Sequence, residues 1–176
     1  MRFLPLLAML VLLGGCSETS QPVQKNDYFD LKGFFESEIR RLETLKPGVK
    51  KTVSRNGSKE SKVLSTINWK TELSLFVESD INKPAWSSSY KVTNHGLKTI
   101  YQANDPELRT QEIILEKDRI GDLKNILIKN KSSNMLYNTS EQLLYIKDSV
   151  YRISKNQHVA IIGDNRYTIE GSFKQK

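Results

Sequence analysis

The chain has 176 residues, a formal net charge of +7 and 38% hydrophobic residues. That length holds a short leader and one ordinary domain of about 150 residues, with enough apolar content for a core. Its one cysteine, Cys16, excludes an intrachain disulfide.

Arg2 gives the N-terminus a positive charge, and residues 3–13 form an apolar run broken only by Pro5. Such a run is too short to span a bilayer, which takes about 20 apolar residues. It has the length of a secretory h-region. Leu13-Gly14-Gly15-Cys16 then resembles a bacterial lipobox: Leu three positions before the cysteine, followed by two small residues. That resemblance implies a signal peptide of residues 1–15, cleavage before Cys16, and acylation of the Cys16 thiol. Several acyl chains, each methylene contributing roughly 0.8 kcal/mol on burial, would make the anchoring stable. Ser17, where an Asp would signal inner-membrane retention, points toward the outer membrane.

Residues 17–26 are polar apart from Val23 and cannot bury enough apolar surface to fold. Residues 16–26 therefore read as a lipidated tether and residues 27–176 as a single domain. Lys and Arg are interspersed with Asp and Glu. The densest basic stretches are 46–62 and 124–131. Most of this charge reads as solvated surface, although a basic lipoprotein also suits anionic headgroups. An address outside the cytoplasm argues against nucleic acid as partner.

Two amphipathic helices are predicted first. In residues 27–48, Leu31, Phe34, Phe35, Ile39, Leu42 and Leu45 recur at helical spacing. Asn26 or Asp27 can cap the start, Lys46-Pro47-Gly48 ends it, and Gly33 costs about 1 kcal/mol. In residues 68–86, Asn68 is a natural cap, and Trp69, Leu73, Phe76 and Ile81 line one stripe. Asn82-Lys83-Pro84 stops it.

After Ser89 the texture changes to short apolar runs cut by polar turns. Strands are predicted over 90–93, 98–103, 111–117, 123–129, 134–137, 142–147, 150–155, 158–162 and 166–173. Their spacing is that of an antiparallel meander. In the last, Tyr167, Ile169, Gly171 and Phe173 face one way and Arg166, Thr168, Glu170 and Ser172 the other. The predicted fold is α+β, with N-terminal amphipathic helices packed on one face of a curved antiparallel meander.

The segments NDYFDLKGFFESEIRRL and ESDINKPAWSSSY, with the lipobox, resemble small lipoproteins of Bacteroidota. The resemblance implies an envelope address and a fold, and brings no reaction or catalytic residue with it.

The residues themselves also offer no reaction. His95 falls in a predicted turn and His158 at a strand start, without a second ligand at helical spacing, which disfavours zinc. There is no Gly-x-Ser-x-Gly, and Gly57-Ser58-Lys59 lacks the preceding glycine of a phosphate loop. Asp105, Asp118, Asp122 and Asp164 lie at turns, where Asp serves backbone hydrogen bonding. No metal or cofactor is expected, and the protein is not expected to be an enzyme. Trp69, Trp86 and Tyr90 cluster where the second helix gives way to the sheet, as an apolar binding surface or an ordinary core would. The expected role is a non-catalytic envelope lipoprotein, outer-membrane anchored, that binds a lipid or an envelope protein. The alternatives are an accessory subunit of an outer-membrane assembly or transport machine and, behind it, an envelope hydrolase.

Overall fold

The computed structural model describes residues 28–174; Cys16, the signal segment 1–15 and the tether 16–26 lie outside the described residues. In chain order the elements are α1 (Leu31–Leu45), β1 (Val49–Arg55), β2 (Ser58–Leu64), α2 (Trp69–Glu72), α3 (Ser74–Glu78), a 3-10 turn (Pro84–Trp86), β3 (Tyr90–His95), β4 (Lys98–Ala103), β5 (Thr110–Lys117), β6 (Leu123–Ser133), β7 (Tyr137–Ile146), β8 (Val150–Val159) and β9 (Gly163–Phe173).

All nine strands form one sheet, in the order β2-β1-β9-β8-β7-β6-β5-β4-β3. Strands β3 to β9 are the expected meander, each antiparallel to the next. The sequence reading did not anticipate the β1–β2 hairpin, which joins the far edge by pairing β1 with β9. The helices are therefore not all N-terminal to the sheet. Only α1 precedes it, while α2 and α3 belong to the crossover that carries the chain from β2 to β3 at the opposite edge. The predicted helix from Asn68 to its stop at Asn82-Lys83-Pro84 is two short helices, because Leu73 departs from helical geometry at φ −101°, ψ 7°, and the 3-10 turn follows that stop. The predicted strands over 134–137 and 158–162 are largely turns, and β6, β7 and β8 absorb their flanks.

Helix α1 starts one turn later than expected. Asp30 is its N-cap and accepts a 2.8 Å hydrogen bond from the Gly33 amide. A Cβ on residue 33 would collide with that carboxylate, so the glycine that weakens the helix makes room for its cap. Lys46, in the left-handed conformation, returns its amide to Leu42 O at 2.9 Å, and Pro47 prevents continuation.

The core lies between the helices and one face of the sheet. Phe35, fully buried, meets Phe76 of α3 at 4.8 Å and Tyr145 of β7 at 5.3 Å between ring centroids. Leu31, Leu42 and Leu73 join Ile113, Ile126, Ile128, Leu143 and Ile153 from the strands. Ile113, Ile128, Leu143 and Ile153 form one cross-strand row in direct register, and Ile126 lies two residues from Ile128, the period that sends alternate side chains to one face. On β9 the predicted alternation holds: Gly171 is buried, and Ile169 and Phe173 pack against the core.

Candidate functional site

The three aromatics singled out in the sequence do not share one surface. Trp69 is buried at the β8–β9 side, stacked on Phe173 at 5.6 Å and 8° and edge-on to Tyr151 at 6.0 Å. Tyr90 is buried on β3, at the opposite edge of the sheet, and donates a 2.8 Å hydrogen bond to Thr110 O. Trp86 is half-buried, with the Lys83 ammonium 4.1 Å from its ring centroid.

Two carboxylates reach from the helices to tyrosines of the sheet. Glu38 of α1 accepts a 2.6 Å hydrogen bond from the Tyr145 hydroxyl and is paired with Arg41 at 2.7 Å. Glu72 of α2 accepts one from Tyr151 at 2.9 Å and pairs with Lys51. Burial, and then the neighbouring carboxylates, hold both phenols well above the ordinary tyrosine range. Burial likewise raises Tyr90 and Tyr101. Each carboxylate is paired and each phenol donates, so these networks fasten the helices to the sheet.

Among the described residues the opposite face of the sheet carries no helix. Its centre is a transverse row of half-buried aliphatics in direct register, Ile100, Ile114, Leu127 and Leu144 on β4 to β7. Around it the cations meet carboxylates: Lys98 with Glu116 at 3.7 Å, Lys129 with Glu112 at 2.7 Å, and Arg152 with Glu170 at 2.6 Å.

Toward the end of the sheet where β6 turns into β7, this face forms an open concavity of about 760 Å³. Two successive cross-strand rows line it. One runs through Lys131, Ser140, Asn156 and Arg166, with Asn56 beyond; the other contains Asn138, His158 and Asp164. Between the rows Thr139, Gln157 and Asn165 are in register, and the strand period turns their side chains to the other face, leaving backbone as the floor.

The walls are ordered by hydrogen bonds. Asn56 sits at φ 49° in the β1–β2 turn, ahead of Gly57 at φ 94°, and accepts a 2.8 Å bond from the Arg166 amide. The Arg166 Nε donates to Asn156 at 3.1 Å. His158 Nδ1 and Asp164 Oδ1 are 2.6 Å apart. Neither Lys131 nor Arg166 is paired with a carboxylate among the described residues.

Sequence reading had His158 exposed at the start of a strand; it is exposed but lies near the end of β8, and the reading did not gather the residues around it. Those residues arrive from the β1–β2 turn and from β6, β7, β8 and β9, a juxtaposition made by the strand register. The other histidine, His95, ends β3 at the far edge of the sheet. No group of three or more His, Cys, Asp and Glu that could hold a metal occurs among the described residues. No helix there is long and apolar enough to cross a membrane.

No protein family, curated protein or solved structure matches the chain.

Proposed function

We propose that the protein is a lipoprotein of the bacterial cell envelope, anchored in the outer membrane through Cys16, whose domain binds its ligand without chemical turnover. The scaffold in this reading is α+β, with helices on one face of a sheet curved by the irregular registers of β5. The ligand occupies the bare-face concavity and is anionic and rich in hydroxyls, as a phosphorylated sugar or lipid headgroup is. One observation carries this assignment: among the described residues Lys131 and Arg166 have no carboxylate partner, in a cleft whose other inward side chains are Asn56, Asn138, Asn156, Ser140 and the His158–Asp164 pair. Amides donate and accept, matching hydroxyls, while the two cations suit phosphate or carboxylate. The helix side is filled by ring-on-ring packing and is already occupied by the protein itself.

The test is a titration of the labelled domain with a sugar phosphate, followed through amide resonances. Shifts confined to Asn138, Asn156, His158 and Arg166, and lost in a Lys131→Gln/Arg166→Gln variant, support the reading. Shifts scattered over the surface, or unchanged in the variant, refute it.

A second reading, an accessory subunit of an outer-membrane assembly, is favoured by the aliphatic row Ile100, Ile114, Leu127 and Leu144. Co-purification of an integral barrel, lost in Ile114→Lys/Leu127→Lys, distinguishes it.

A further inference from the structure

Four of the five most exposed apolar side chains lie together. Met135 and Leu136, 98% and 68% exposed, form the β6–β7 turn, and Ile161 and Ile162, 93% and 75% exposed, form the β8–β9 turn. Strands β7 and β8 are neighbours, with Tyr137 opposite Val159, and the Ala160 amide donates to Leu136 O at 3.1 Å. The two turns are thus one projecting tip bearing four aliphatic side chains.

We infer that this tip inserts into the interfacial region of an anionic bilayer and seats the domain on it. The shape is convex, a pair of hairpin ends, which suits a yielding lipid surface better than a rigid partner that would need a matching socket. Charge agrees. Among the described residues Lys131 and Arg166, just behind the tip, have no carboxylate partner, and Asp164 in the same cleft lies 2.6 Å from His158 Nδ1. An apolar point with a cationic collar has the amphipathic arrangement that partitions into headgroups and gains from negative lipid.

The attachment geometry also agrees. Tyr28 is fixed against β3 and β4, its hydroxyl donating to Ser87 O at 2.9 Å and accepting from the Tyr90 amide at 3.2 Å. Tyr90 in turn bonds Thr110, which is in register with Asn130, three residues from the end of β6. The tip therefore lies roughly 25 Å from Tyr28, from about 10 Å along the strands and about 22 Å across them. Eleven residues separate Cys16 from Tyr28. Fully extended, that connection spans at most about 40 Å, so an acyl anchor at Cys16 and the tip can reach one bilayer. In this step the inference rests on the lipid anchor proposed above.

The opposite end of the sheet is a built-in comparison. Ile120, 84% exposed in the β5–β6 turn, stands alone as an aliphatic at its tip, with Arg119 beside it and Lys117, Asp118, Asp122 and Lys124 around it, charges of both signs. The experiment places a reporter at each end of the full, mature chain, as Ile161→Trp and as Ile120→Trp, reconstituted in phosphatidylglycerol–phosphatidylethanolamine vesicles. The wild-type protein supplies the emission of Trp69 and Trp86. The expected result is added emission from position 161 that shifts to shorter wavelength, is quenched by bromine on the acyl chains and is shielded from acrylamide. Position 120 should stay open to acrylamide and untouched by the bromines. Insertion of both positions, or of neither, overturns the inference. So does a shift at position 161 without vesicles that grows with protein concentration, since that marks contact between copies. Labelling of Cys16 with palmitate, read in the same preparations, tests the anchor separately. An unlabelled chain whose tip still inserts would refute the anchor alone.

Discussion

Gly171 lies in the middle of β9, where replacing glycine by alanine ordinarily adds about 0.5–1 kcal/mol of stability. Here the structure predicts the reverse. Gly171 is in register with Tyr151 of β8, whose ring lies over it, and a Cβ at residue 171 would fall within that ring. Tyr151 would have to leave its 2.9 Å hydrogen bond to Glu72 and its edge contacts with Trp69 and Phe173. Overfilling a packed site costs about 1–3 kcal/mol. Loss of a hydrogen bond to a charged group costs about 1.5–3 kcal/mol more. The expected loss for Gly171→Ala is therefore about 3–5 kcal/mol, and a fall in Tm on the order of 10 °C for a domain of this size. Urea denaturation of the single variants and of Gly171→Ala/Tyr151→Ser forms a cycle that isolates the contact. Once Tyr151 is gone, the alanine should cost nothing or stabilise. A Gly171→Ala protein as stable as wild type, or strictly additive effects, would refute this packing.

Phe35→Ala should cost about 3–5 kcal/mol, read by thermal melting, because it removes the ring that joins α1 to Phe76 and Tyr145. An unchanged melt would show that this face of α1 is not docked. Tyr90, Tyr101, Tyr145 and Tyr151 all have raised values in the fold, so the folded state keeps protons that the unfolded chain releases near pH 10. Stability should be complete below about pH 10 and fall above it, by up to about 1.4 kcal/mol per pH unit for each of these phenols. In absorbance titration, four of the seven tyrosines should ionise only as the fold is lost. Cys16→Ala should abolish incorporation of labelled palmitate, and undiminished label would remove the anchor from the account.

The meander was legible because strands β3 to β9 carry alternating apolar residues between turn signals, and the face assignments on β9 follow from period two alone. The β1–β2 hairpin was hidden by its position. Both strands lie at one edge, β2 is exposed along nearly its whole length, and Lys50, Lys51 and Arg55 mask the alternation of Val49 and Val53. The usable signal was Asn56-Gly57, a turn pair that demands positive φ and supplies it at 49° and 94°. The interruption at Leu73 left no mark, because Trp69, Leu73 and Phe76 keep helical spacing across it. The cleft was the least legible feature. Asn, Ser and Lys on the wet face of a strand look like ordinary surface. They form a site only because the register sets Lys131 beside Ser140, Asn156 and Arg166 across four strands.

The claim that the bare-face cleft holds an anionic headgroup is tested most directly by native mass spectrometry of the protein extracted from its membrane in mild detergent. The wild-type protein should carry a bound phospholipid or glycolipid of negative charge, and Lys131→Gln/Arg166→Gln should lose it while keeping the mass of the acylated Cys16. A wild-type protein that flies with no adduct, or a double variant that retains the same one, would contradict the account.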